Sequence, residues 1–312
     1  MKIFYKLNLL LFFFLSINAI AQQDSQYTQY MYNTVAINPA YAGTRGFLSI
    51  VGLHRSQWVG LDGAPRTQTL AIHSPIGKGR VGLGGSVVND QIGPSQETNF
   101  NVDFSYTIPT SYNGKLSFGL KGGLRLFDVD FNRLTVFEED NLFQNNVNDQ
   151  LSPVVGLGAY FHTNKFYIGL SIPNLLETKH FDAIDQDSIA QSSFLAIERI
   201  HYYLISGYTF NLTDTVKFKP AVLSKLVFGA PLQVDVSANF LFFDKFTAGL
   251  AYRWSAAISG LIAYQVSDGL MIGFAYDRDT TALQSTNDGS FELTLRFELF
   301  KKHSRLVTPR FF

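Results

Sequence analysis

The sequence predicts an all-β protein: a transmembrane antiparallel β-barrel of the outer membrane, with about 14 strands, behind a cleaved signal peptide. Three observations predict it. Apolar and polar residues alternate with period two over stretches of about 9–12 residues, the length a tilted strand needs to cross a bilayer. Charged side chains make up only 16% of the 312 residues, against the roughly 25% usual for soluble domains. The first 21 residues have the layout of a secretory leader.

That leader, residues 1–21, comes first. Lys2 and Lys6 form a short basic region, Leu7 to Leu15 is apolar except for Asn8, and Ala19-Ile20-Ala21 is a small-x-small cleavage site. Cleavage is expected after Ala21. The apolar run is shorter than the roughly 20 residues of a spanning helix, which favours a leader over an anchor.

Residues 22–45 follow as a plug or periplasmic segment. Tyr27, Tyr30, Tyr32 and Tyr41 recur through it, and Asn38-Pro39 is a turn signal. Recurrent aromatics with a turn argue for order rather than a loose leader. The sequence leaves open whether this segment fills a lumen or stays periplasmic to hold a partner.

Residues 46–299 form the barrel. Strands are expected near 46–54, 67–75, 80–90, 97–109, 115–128, 153–163, 165–172, 201–210, 215–226, 231–242, 246–254, 257–266, 269–279 and 289–299. In the last of these Phe291, Leu293, Leu295, Phe297 and Leu299 share one face, and Glu292, Thr294, Arg296 and Glu298 the other. Such alternation gives a strand one dry face and one wet face. An even strand number suits a single-chain barrel, and Tyr106, Trp254 and Tyr276 near segment ends suit interfacial girdles. Connections after even-numbered strands are short, while 55–66, 129–152, 173–200 and 280–288 are long. That is the periplasmic and extracellular asymmetry of these barrels. A soluble secreted sandwich or propeller is the runner-up. It is disfavoured by strand length and low charge together. Residues 300–312 are a C-terminal tail.

Composition excludes several functions. With 25 basic and 25 acidic side chains the formal net charge is zero, unlike the basic excess of a nucleic-acid binder. There is no cysteine, so disulfides, thiolate metal sites and thiol nucleophiles are out.

Candidate chemistry is thin. Gly77-Lys78-Gly79 and Gly82-Leu83-Gly84-Gly85 resemble phosphate loops, but neither opens a helix and no Lys-Ser/Thr pair follows. They read as a turn followed by inward glycines. Gly119, Gly123, Gly249 and Gly273 are inward too, where they let something pack close to the wall or reflect a crowded lumen. Asp182, Asp185 and Asp187, like Glu138-Glu139-Asp140, lack the glycine and bidentate Glu of a calcium loop. The histidines His54, His73, His162, His180, His201 and His303 show no metal-ligand spacing, so no cofactor or metal is expected. His54 and Ser56 adjoin the first loop, as in barrel lipid hydrolases, but no ordered triad is readable. Asp103, Lys121, Arg125, Asp235, Arg253, Asp277, Glu292, Arg296 and Glu298 fall on wet faces and are expected to line the lumen. Their mixed signs make no ion-selective ring. They suit a salt-bridged wall, a plug or a threaded partner.

Familiar blocks then appear. The mature start reads Gln23-Asp24-Ser25-Gln26-Tyr27-Thr28-Gln29-Tyr30-Met31, followed by Asn38-Pro39-Ala40-Tyr41-Ala42-Gly43. His54-Arg55-Ser56-Gln57-Trp58 and Gly63-Ala64-Pro65-Arg66-Thr67-Gln68-Thr69 come next. Val88-Asn89-Asp90 with Ile92-Gly93-Pro94, and Phe166 to Ser171 with Pro173-Asn174, continue the series. These blocks resemble the PorP/SprF family of type IX secretion-associated outer-membrane proteins, from Gln23 to the final strand.

The resemblance implies a non-enzymatic barrel that supports type IX secretion and cell-surface anchoring of large adhesins, some of them gliding-related. The partners it implies are a secreted adhesin with a C-terminal sorting domain, the periplasmic ring of the secretion machine and peptidoglycan-binding components, with outer-membrane lipid around the wall. It supplies no catalytic residues. The first two blocks and the first loop make Tyr27, Tyr30, Asn38, Pro39, Tyr41, Arg55, Gln57, Trp58 and Pro65 the expected partner-binding residues. The tail departs from barrels that end with their last strand. The alternative is a substrate-uptake barrel of the fatty-acid-transporter kind, which would carry solute through an open lumen.

Overall fold

Period-two segments too apolar to face water on one side must pair along both edges, because an unpaired amide in hydrocarbon costs several kcal/mol. The computed structural model, which describes residues 26–77, 79–133, 146–177 and 199–299, satisfies this by closure. The strands are β1 (Leu48–Ser56), β2 (Arg66–Ile76), β3 (Val81–Ile92), β4 (Ser95–Pro109), β5 (Lys115–Val129), β6 (Val147–His162) and β7 (Phe166–Ile172). They continue with β8 (His201–Tyr208, resumed after Thr209 by Phe210–Asn211), β9 (Val216–Val227), β10 (Gln233–Phe242) and β11 (Phe246–Arg253). The last are β12 (Ala257–Gln265), β13 (Leu270–Asp279) and β14 (Ser290–Leu299). The two pieces of β8 meet β9 in one register, Gly207 opposite Ala221 and Phe210 opposite Phe218. Each strand pairs antiparallel with the next, and β14 pairs with β1 from Leu48 opposite Leu299 to Ser56 opposite Phe291. The result is a closed barrel of 14 strands.

The leader and its cleavage site, Lys78, Glu138 to Asp140, His180, Asp182, Asp185, Asp187, His303 and the 300–312 tail lie outside the described residues. No helix among the described residues is long and apolar enough to cross a membrane.

Boundaries follow the alternation closely, with two instructive differences. β1 runs two residues further than expected, which puts Arg55 in the wall rather than in the first loop. β6 starts at Val147, six residues before the expected 153, and so runs through Pro153. The β6–β7 ladder covers only Leu157 to His162. Two residues past Pro153, the Val155 carbonyl faces the β7 side and accepts from Leu175 N at 2.7 Å. By alternation the Pro153 nitrogen faces that side too, beyond the ladder, where a missing N–H breaks no strand pairing.

The outward face is apolar. Val102 is 64% exposed and Leu250 68%, while Asp103 and Thr247 on the same two strands point inward and are buried. At the short-turn end the outward rings of Tyr208, Phe210, Phe218, Phe240, Phe242 and Phe246 form an unbroken row. Successive centroids lie 4.5, 6.2, 4.8, 6.4 and 6.3 Å apart. This is an aromatic girdle at the membrane interface. Val102→Arg is expected to destabilise the barrel by about 2–4 kcal/mol, the cost of a cation on the lipid face near the midplane. Reversible folding into lipid vesicles checks this, and an unchanged midpoint would mean that Val102 does not face hydrocarbon.

Candidate functional site: the occupied lumen

The lumen is filled by the chain itself. Residues 26–47 run through it from the long-loop mouth, extracellular in these barrels, to the short-turn mouth where β1 begins. The path is fixed by its two ends. Thr28 meets Glu292, which lies opposite Arg55 near the far end of β1. Arg45 is ion-paired with Glu298, which lies opposite Ser49 at its near end.

Local sequence shapes this segment. Thr34–Ile37 makes one α-helical turn, α1, and Pro39–Tyr41 one 3-10 turn. Asn38 caps the second, its Oδ1 accepting from Ala40 N at 2.9 Å. Pro39 takes the first helical position, where its missing N–H costs nothing. Gly43 adopts φ +71°, and a Cβ there would lie 2.7 Å from Gly82 Cα on β3. Only glycine suits both the turn and the approach.

At the outer end the two oxygens of Glu292 accept from the main-chain N–H groups of Thr28 (2.9 Å) and Gln29 (2.8 Å). Thr28 Oγ1 donates to Asp277 at 2.7 Å. Arg55 holds both carboxylates, at 2.6 Å from Asp277 and 3.1 Å from Glu292, and donates to Thr28 Oγ1. Gln26 bonds Gln233, and the Tyr27 hydroxyl lies 2.9 Å from Thr69 Oγ1. Gln29 is 0% and Arg55 1% exposed. Charge-assisted bonds in so dry a place are strong.

The middle is apolar. Tyr30, Val35, Ile37, Ala40 and Tyr41 pack on the wall residues Tyr160, Tyr167, Tyr203, Ile205 and Leu223. Tyr41 stands edge-on to Tyr160 and His73, with centroids 5.3 and 5.5 Å apart. Asn38 Nδ2 donates to Ala159 O (3.1 Å) and Leu170 O (3.3 Å) between β6 and β7. Lys121 Nζ donates to Ala36 O at 3.1 Å. At the inner end Ser105 Oγ donates to Ala42 O at 2.7 Å, and Gly43 N donates to His73 Nδ1 at 3.2 Å.

Wall glycines make room for this segment. A Cβ on Gly119 would overlap the backbone of Pro39 and Ala40, and one on Gly158 the Asn38 amide. Gly119→Ala is expected to cost about 1–3 kcal/mol through overpacking. Gly122→Ala, three residues along β5 on the outward face and with no atom within 4 Å of its Cβ position, is the control. Urea unfolding followed by gel mobility compares them, and equal losses would contradict the close fit.

The other sequence-selected residues take these places. Tyr27, Tyr30, Asn38, Pro39 and Tyr41 are inside the lumen, so a partner reaches them only if the segment moves. Gln57, Trp58 and Pro65 stay at the outer rim. Gln57 N donates to Pro65 O at 2.9 Å, Trp58 N donates to Ser290 Oγ, and Val59 exchanges main-chain bonds with Asp288 and Gly289. Lys121 lies 3.5 Å from Asp103, Arg125 3.0 Å from Glu97, Arg253 2.9 Å from Asp235 and Arg296 3.1 Å from Glu298. Arg296 also lies over the Tyr32 ring, at 5.3 Å. Beside the segment, a cavity of about 130 Å³ is lined by Tyr27, Ile37, Asn101, Arg125 and Tyr203. His54 Nε2 is 3.2 Å from Ser56 Oγ, but the pair is on the outward face and the residue opposite His54 on β2 is Gln68. No three His, Asp or Glu side chains among the described residues converge as metal ligands.

Several functional contacts escaped the sequence: Arg45, His73, Thr69, Glu97, Ser105 and Gly158. The inward glycines were their one visible signal.

Comparison with known proteins follows the same lines. A family model described as type IX secretion system membrane protein PorP/SprF matches residues 19–297. No curated protein matches the chain. Among solved structures, the CymD monoaromatic hydrocarbon channel is 13% identical over 92% of this chain and 97% of its own, with a TM-score of 0.51. Omp33 of Acinetobacter baumannii is 11% identical over 81% and 98%, with a TM-score of 0.47. A FadL homologue of Pseudomonas aeruginosa is 12% identical over 91% and 96%, with a TM-score of 0.46. At 13% identity the barrel fold is what this chain shares with the CymD channel.

Proposed function

Because the chain belongs to the PorP/SprF family of type IX secretion system membrane proteins, and so lies in the bacterial outer membrane, we propose that it holds large exported adhesins at the cell surface and has no catalytic role. The observation that carries this reading is the segment 26–47, which occupies the lumen from one mouth to the other. An uptake barrel of the fatty-acid-transporter kind needs a solute path, and a lumen packed with Tyr30, Val35 and Tyr41 supplies none. A protein-holding barrel needs none.

The outer rim is where we place first contact with the adhesin. Trp58 is half-buried between the first loop and Ser290, with Gln57 and Pro65 beside it. A large aromatic held in a rigid loop is a typical interface anchor. On the periplasmic side, the secretion ring and peptidoglycan-binding proteins are the expected partners. Wild-type barrel, tagged and purified from detergent-solubilised outer membranes, is expected to bring down a large surface protein or ring components. Recovery of the barrel alone at several detergent strengths, together with measurable solute uptake, would favour the transporter reading.

A further inference from the structure

We infer that the lumen is a binding site for a polypeptide segment, occupied here by the chain's own residues 26–47 and given over, in the working state, to a segment of the exported protein. This rests on the adhesin-holding role above and says where in the barrel that protein is gripped.

The wall grips the main chain of its occupant. Glu292 accepts from the N–H groups of Thr28 and Gln29. His73 accepts from Gly43 N. Lys121 donates to Ala36 O, and Ser105 donates to Ala42 O. These contacts are spread from the outer mouth to the inner one, and any polypeptide offers the same N–H and C=O groups.

Several charges of the wall are, moreover, paired within the wall. Arg55 pairs with Asp277 and Glu292, Lys121 with Asp103, Arg125 with Glu97 and Arg253 with Asp235. Removing the segment breaks none of these pairs. These ions keep their partners when water enters the lumen, which avoids the large penalty of stranding a buried ion. Arg45 is the only charged residue between Gln26 and Phe47, and Arg45 with Glu298 is the ion pair that joins segment to wall. A neutral segment rich in Tyr, Asn, Thr and small residues is therefore the class of ligand the lumen takes, since its polar wall meets amides and hydroxyls and its glycines need small neighbours.

The chain has no cysteine, which allows a clean test on the full-length protein in secreting cells. Tyr203, a wall residue packed on the segment, is replaced by the photoreactive aromatic p-benzoylphenylalanine. A second version also carries Gln26→Cys and Gln233→Cys, at two positions whose native side chains are in contact, joined by a short bis-maleimide crosslinker with a disulfide in its spacer, which a reductant cleaves. Illumination is expected to give a high-mass adduct with an exported protein in the unlocked barrel. The lock should reduce that adduct at least tenfold, and cleavage of the linker should restore it. Intramolecular products alone, or an adduct of equal yield in the locked barrel, would overturn the inference. If wild-type barrel still brings down the adhesin in that event, the holding role survives and only the lumen site falls. If wild-type barrel captures nothing, both fall.

Discussion

A chain lacking residues 22–43 is expected to insert as a folded barrel, to conduct ions, and to lose adhesin display. The full-length protein is expected to be silent in the same planar bilayer. The wall needs little from the segment in order to close. Its ladders run from β1 through β14 and back to β1 without it, and its ion pairs Arg55–Asp277, Lys121–Asp103 and Arg253–Asp235 are internal. What the deletion removes is the packed column of Tyr30, Val35, Ile37, Ala40 and Tyr41. A polar, water-filled lumen of this strand number conducts as porin channels do, so the difference should be roughly tenfold or more. Single-channel recording checks the first half, and surface labelling of the exported protein checks the second. A deleted barrel that remains silent would mean that loops, rather than residues 26–47, close the lumen. Normal adhesin display would remove the segment from the function.

Glu292→Ala is expected to be the most damaging single substitution in the lumen, at about 3 kcal/mol. The carboxylate is fully buried and has three duties. It accepts from the Thr28 and Gln29 N–H groups, and it shares Arg55 with Asp277. Truncation strands two main-chain donors and half of the guanidinium's neutralisation in a dry place. Glu292→Gln should lose less, because its amide oxygen still accepts one of the two N–H groups. Asp277→Asn, which leaves the main-chain bonds intact, belongs between the two. Urea midpoints of the detergent-resistant band on gels give the order, and a cysteine at Gln26 should react faster with thiol reagents in the Glu292→Ala background. An unshifted midpoint with unchanged reactivity would show that the outer end of the segment is held by something other than Glu292.

The wall was largely legible in the linear sequence. Phe291 to Leu299 and Leu116 to Leu126 carry their faces in their spacing, since period two is a property of neighbouring residues. The inward acids and bases were readable for the same reason. The first six residues of β6, Val147 to Ser152, were missed because this polar stretch beyond the β7 ladder carries no apolar alternation. Arg55 misled because it lies in a polar stretch that reads equally well as strand end or loop.

The lumen contacts were not legible. Thr28 meets Glu292 across 264 residues, Asn38 meets Ala159 across 121, and Ala42 meets Ser105 across 63. A tyrosine- and amide-rich segment has one composition whether it is solvated in the periplasm or buried in a barrel, so spacing alone could not choose. The membrane imposes the alternating strands, and each strand can satisfy that demand by itself. Closure, the route of residues 26–47 and the pairing of Glu292 with main-chain N–H groups exist only once all fourteen strands are placed, because they depend on which distant residues share a height in the barrel.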